Sequence, residues 1–164
     1  IKSGLLFNDN ISANISIITN SNLQKEIFNV AKINFNIING KINLNKTRFV
    51  NSNIASLELN NSNLSIENNS LILSTDILFE VKNSDALFAL LNTSKRSRKY
   101  FKNILINLDY DFLSNQIKFN KIKIDNSEVS DQLLNIIQGF NDNNFNNFIK
   151  SRRLINEILK AYEG

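Results

Sequence analysis

Ile33-Asn34-Phe35-Asn36-Ile37, Ile42-Asn43-Leu44, Leu57-Glu58-Leu59 and Leu64-Ser65-Ile66 decide how this chain is read, because apolar and polar side chains alternate in them with a period of two. In extended backbone that alternation sends every apolar side chain to one face of a sheet and every polar one to the other. The pattern returns at 71–73, 77–82, 104–112 and 117–125. Asn39-Gly40, Asn60-Asn61 and Asn68-Asn69 lie between these runs and tolerate the left-handed backbone of two-residue hairpin turns. Leu57, Leu64 and Leu71 are seven residues apart, a spacing that fits strands of about five residues joined by two-residue turns. Antiparallel neighbours are expected, since no helical crossover separates the runs. Ile117 and Phe119 share one phase while Ile122 and Ile124 share the other. One extra residue near Asn120-Lys121 restores a common face, so a bulge or bend is predicted there.

Two regions leave the period of two. Residues 84–92 hold Leu87, Phe88, Leu90 and Leu91 at helical spacing, with Ser84 or Asp85 as the expected cap. From Ser127 onward the period is 3.6. Val129, Leu133, Leu134, Ile136, Ile137 and Phe140 form one apolar stripe, and a second holds Phe145, Phe148, Ile149, Ile155, Ile158, Leu159 and Tyr162, with a break over 139–144. The predicted fold class is mainly β with α: an elongated, curved antiparallel β-meander with a short helical insert and a C-terminal helical pair. Residues 1–126 are the meander, with the insert over 84–99, and 127–164 are the helices.

The 164 residues are enough for one domain with a core, since a chain of this length buries roughly 70% of its unfolded surface. The longest unbroken apolar run, Ala86 to Leu91, is far short of a membrane span. The chain begins at Ile1 and contains no Met, so it is expected to be a single segment, 1–164, of a longer protein. It has no Cys and no His, which removes thiol nucleophiles, Ser-His relays, disulfides and the usual zinc sites. With no Pro and four Gly there is no Gly-rich phosphate loop. No enzyme activity, cofactor or metal is expected. Asn, Ile, Lys and Phe make up half the chain; all four have AT-rich codons, and Asn alternates with apolar residues instead of forming the long runs of a prion-like tract.

Asp109-x-Asp111 is the closest carboxylate pair. The two share one face of a predicted strand, without a third ligand or a base beside them, and are read as part of a polar surface. Lys95-Arg96-Ser97-Arg98-Lys99-Tyr100-Phe101-Lys102 is the one charge cluster, and the net charge of +4 arises entirely from it. Cations beside an aromatic suit phosphate, in nucleic acid or in lipid head groups, while a solvated helix-to-strand connection accounts for them as simply. One patch on an otherwise neutral chain argues against a nucleic-acid partner.

Residues 40–164 resemble the C-terminal region of the AsmA-like proteins of Gram-negative bacteria, especially alphaproteobacterial members. The likeness rests on Asn39-Gly40-Lys41-Ile42-Asn43-Leu44-Asn45-Lys46-Thr47 followed by Ile54-Ala55-Ser56-Leu57, and on Lys95-Arg96-Ser97-Arg98-Lys99 followed by 104–112. Ile122-Lys123-Ile124-Asp125 leading into Ser130-Asp131, and Arg152-Arg153-Leu154-Ile155-Asn156, complete it. The resemblance implies a periplasmic protein, anchored in the inner membrane through sequence outside this segment and tied to outer-membrane homeostasis. Larger relatives are thought to form β-grooves that carry lipid. A meander of about nine strands makes a sheet roughly 40 Å across, whose apolar face needs helices, another sheet or lipid chains to cover it. Ile33, Phe35, Ile37, Ile42, Leu44, Leu57, Leu59, Leu64 and Ile66 are the candidate groove lining, because the helices lie nearer in sequence to the later strands. Lys95, Arg96, Arg98, Lys99 and Lys102 are the candidate head-group ligands. The expected partner is phospholipid acyl chain. The alternative is a structural β-domain with a closed core, acting through protein contacts in the envelope.

Overall fold

The computed structural model describes residues 7–21, 28–138 and 148–162. Among the described residues nine strands, all paired antiparallel, form one sheet: β1 (Ala13–Asn20), β2 (Val30–Ile38), β3 (Lys41–Asn43), β4 (Arg48–Asn51), β5 (Ala55–Glu67), β6 (Ser70–Val81), β7 (Asn103–Asp111), β8 (Gln116–Ile124) and β9 (Ser127–Glu128). Spatial order follows chain order, so the sheet is a meander. β3 and β4 lie end to end between β2 and β5 as one interrupted strand. The gap is closed by side chains: the Asn34 N–H donates to Thr47 Oγ1 (3.0 Å), Leu44 N–H to Ser62 Oγ (2.7 Å) and Ser62 N–H to Asn45 Oδ1 (2.7 Å). Helix α1 (Ser84–Leu90) and a short 3-10 turn (Lys95–Ser97) separate β6 from β7, and α2 (Asp131–Gln138) and α3 (Phe148–Ala161) end the chain.

The alternation read from the sequence survives in the registers. Ile37 pairs with Ile42, Ile42 with Leu64, Leu64 with Leu73 and Leu73 with Tyr110. A single apolar face therefore crosses the sheet, and the polar residues between fall on the other face. The predicted bulge is present: Lys121 pairs with Asn107 and Phe119 with Leu108, which leaves Asn120 as the extra residue.

Some expectations are corrected. Asn60-Asn61 is no turn; β5 runs straight through it for 13 residues, and Asn61 and Ser62 together oppose Thr75 as a second bulge. Leu57 and Leu64 are thus on one strand, brought to the same face by that extra residue. The cap of α1 is Asn83, whose side chain accepts from the Ala86 N–H (3.0 Å), and not Ser84 or Asp85. Ser127 and Glu128 pair with β8, so helix begins only at Asp131, where Ser130 Oγ accepts from the Leu133 N–H (3.3 Å). β1 was not singled out as a run, although it lies inside the span 1–126 read as meander. The break over 139–144 and the stripe residues Phe140 and Phe145 lie outside the described residues.

Two cores sit on the apolar face. Leu87, Phe88 and Leu91, Phe101, Leu133 and Ile137, and Leu159 of α3 bury Ile122 and Ile124 at the β6–β8 end. At the other end Ile37, Ile42 and Leu64 pack with Phe7, Ile11, Phe35, Leu71 and Leu73. Gly40 makes the second contact possible, because a Cβ there would lie 2.6 Å from the Phe7 carbonyl oxygen, and its φ of +71° is one that side chains resist.

Candidate functional site

The apolar face is the first candidate. Of its nine proposed lining residues, Ile37, Ile42 and Leu64 are buried beneath Phe7 and Ile11, the chain's own residues. Leu59 is buried as well. Ile33, Phe35, Leu44 and Leu57 are half-buried, and Ile66 is exposed. The ring of Phe28 lies against Phe49 (6.1 Å between centroids) and Phe79 (6.3 Å), covering the middle of the face. The accessible apolar surface is therefore narrower than the sequence implied and displaced toward β1. Ile15 pairs with Phe35 and Ile17 with Ile33, which extends the face by one strand, and both isoleucines are about half exposed. The alternation Ala13-x-Ile15-x-Ile17 carried this signal in the sequence. Nothing local announced the covering by Phe7, Ile11 and Phe28.

The basic loop is the second candidate, and the structure divides its cations. Arg98 is built into the fold: its guanidinium lies 5.8 Å over the Phe88 ring, Nε donates to the Thr93 carbonyl (3.4 Å) and Nη1 is 4.0 Å from Asp85. Lys99 is half-buried. Lys95, Arg96 and Lys102 are exposed, as is Tyr100, whose hydroxyl donates to Asp85 (3.2 Å). Arg152 of α3, which no charge run marks as part of this loop, joins it: Nη1 lies 2.9 Å from the Asn92 side-chain amide, while Thr93 Oγ1 donates to Asn156 Oδ1 (2.7 Å). The arrangement can present cations to an anionic group at the helical end.

The polar face holds a concavity of about 630 Å³ lined by Glu67, Ser74, Asp109, Asp111 and Lys118 among others. Asp109 accepts from Asn120 (2.8 Å) and Ser74 (2.6 Å), and these bonds hold its carboxyl below the usual range. Asp111 accepts from the Ser70 hydroxyl and from the Ser114 and Leu113 N–H groups, which lower it to about 2. Both carboxylates are engaged by neighbours, and among the described residues no group of three acidic side chains converges as a metal site would need.

The chain matches no family model, no curated protein and no solved structure. What it can do is therefore read from this geometry. Among the described residues, no helix is long and apolar enough to cross a membrane. On the polar face Asn61 and Asn107 donate to Asp76, and Ser74 and Asn120 to Asp109, which leaves the apolar face and the basic corner as the candidate surfaces with the clearest chemistry.

Proposed function

We propose that this chain is a non-enzymatic segment of an AsmA-like cell-envelope protein, and that its sheet offers apolar surface to phospholipid acyl chains in outer-membrane lipid homeostasis or transport. In this reading the parent is periplasmic and is anchored in the inner membrane through sequence beyond this segment. The observation that carries it is the exposure of Ile15, Ile17 and Ile66 on the same face of the sheet that elsewhere forms the core. Water-facing isoleucines in register with a core are costly to leave bare, at about 25 cal/mol per Å² of apolar surface. An acyl chain lying along Ile15, Ile17, Ile33 and Phe35 removes that cost, and Lys95, Arg96 and Lys102 supply cations for phosphate.

Lipid extraction and mass spectrometry of the purified protein, followed by uptake of a fluorescent phospholipid, tests the reading. Retained phospholipid is expected, with uptake reduced about tenfold by Ile33→Asp. A protein that retains none and takes up none refutes it. The closed-core alternative draws on one specific observation, the burial of Ile37, Ile42 and Leu64 beneath Phe7 and Ile11; it requires that no lipid be bound.

A further inference from the structure

The two edges of the sheet are built differently. β8 carries Lys118, Lys121 and Lys123, is broken by the Asn120 bulge, and has its last residues covered by β9. Charges, bulges and short covering strands are the devices that keep a sheet edge from pairing with another chain. β1 has none of them. Ala13-Asn14-Ile15-Ser16-Ile17-Ile18-Thr19-Asn20 contains no charge and pairs with β2 without a register shift, and Ile15, Ile17 and Ile18 are 48%, 53% and 67% exposed.

The hydrogen bonds show which backbone groups of β1 face outward. Both the N–H and the carbonyl of Asn34 on β2 are directed to Thr47, away from β1 (3.0 and 3.2 Å). Asn34 is the partner of Ser16, so this is a pair that exchanges no backbone bonds. Ser21 and Asn29, in step with the odd-numbered residues of β1, are joined by the Ser21 N–H to Asn29 carbonyl bond (2.7 Å). Residues 13, 15, 17 and 19 therefore direct their N–H and carbonyl groups to β2. Those of Asn14, Ser16, Ile18 and Asn20 point to the open edge, where no described strand receives them.

We propose that this edge is a dimer interface, occupied by β1 of a second copy of this chain in antiparallel pairing. A two-fold axis perpendicular to the sheet and midway between Ile17 and its counterpart joins Ser16 to Ile18 and Asn14 to Asn20 of the second copy. All four are outward-directed residues, as a hydrogen-bonded antiparallel pair needs. The same axis sets Ile17 against its own counterpart and Ile15 against Thr19, so the apolar faces of the two copies become one. A strand with no charge can pair with itself without placing like charges opposite one another, which β8 with its three lysines does not allow. The pairing is independent of lipid binding and survives if the acyl-chain reading fails.

Sedimentation velocity through the micromolar range tests it together with amide exchange by NMR at low and high concentration. A dimer is expected, with exchange at Asn14, Ser16, Ile18 and Asn20 slowed about tenfold or more as it forms, and with Ile15, Ile17 and Thr19 protected at both concentrations. Ile17→Lys places two cations at the axis and is expected to weaken the dimer about a hundredfold. Because that side chain is half exposed, the melting temperature of the monomer should stay close to wild type. Leu113→Lys, at an exposed apolar residue in the β7–β8 turn, should leave the dimer intact. A chain that stays monomeric, assemblies larger than a dimer, a dimer that survives Ile17→Lys, or protection without the even–odd difference would each overturn the proposal.

Discussion

Of the nine non-glycine residues with positive φ among the described residues, seven are asparagines: Asn39, Asn61, Asn68, Asn69, Asn92, Asn115 and Asn126. With so few glycines, Asn takes the left-handed positions that its short polar side chain tolerates better than most. It supplies the hairpin turns at Asn39-Gly40, Asn68-Asn69 and Asp125-Asn126, and at Asn61 it supplies a bulge. Codon bias explains how many asparagines there are, and local conformation explains where these seven stand. Asp111 shows a second residue-scale device. The Ser70 hydroxyl and the Ser114 and Leu113 N–H groups favour its ionised form and bring its pKa to about 2. Unfolded, the same carboxyl titrates near ~4. A group whose pKa is depressed by folding contributes stability above its unfolded value, and that contribution disappears as pH falls through the folded one. Melting temperatures of wild type and Asp111→Asn should therefore differ at pH 6 and converge as the pH falls from about 4 toward about 2. Asp109 and Glu128, also lowered, titrate in both proteins and leave the difference unaffected. A gap that stays constant down to pH 2 would show that the Asp111 bonds do not distinguish its two protonation states.

At the scale of elements, two bulges keep the apolar face continuous, and each is written in the sequence as a change of phase. Ile117 and Phe119 against Ile122 and Ile124 is one such change; Leu57 and Leu59 against Leu64 and Ile66 is the other. The second resembles a strand-turn-strand because Asn60-Asn61 is also good turn chemistry, and only pairing with the long β6 decides for a bulge. Removing Asn120 leaves every β7–β8 pair with its partner and takes away the Asn120 Nδ2 bond to Asp109. The expected cost is about 0.5–1.5 kcal/mol. Removing Lys123 instead turns Ile124 or Ile122 out of the core, where both are almost fully buried. That deletion is expected to cost about 2–5 kcal/mol or to prevent folding. Urea denaturation compares the two, and equal losses would mean that the Asn120 bulge does more than restore phase. Helix boundaries were less legible: the 3.6 period begins at Ser127, but Ser127 and Glu128 pair with β8 and α2 starts only at Asp131, and at α1 Asn83 competes with Ser84 and Asp85 for the cap.

Across the whole molecule, the sequence revealed which face is apolar but not what covers it. Alternation is local, whereas the packing of Phe7 and Ile11 onto Ile42 and Leu64, or of Phe28 onto Phe79, joins residues tens of positions apart with no pattern between them. The basic loop shows the same limit: its charges are plain in the sequence, but the folding of Arg98 back over Phe88 and the long-range approach of Arg152 are set by packing that no charge pattern marks. What results is a sheet closed firmly by helices at one end, closed by a short segment at the other, and open beside β1. That gradient predicts a graded response to a buried charge. Leu133, 1% exposed between α2 and the sheet, is sealed from water, so Leu133→Asp should cost about 3–5 kcal/mol and unfold the domain. Leu59 is buried but lies outside both clusters, so Leu59→Asp should cost less. Ile33 is half-buried beside the exposed Ile17, and water reaches an aspartate there; Ile33→Asp should cost about 1 kcal/mol or less. Thermal melts of the three variants rank them directly. If Ile33→Asp unfolds the protein as Leu133→Asp does, the early strands are closed core, and no acyl chain has a surface there to occupy.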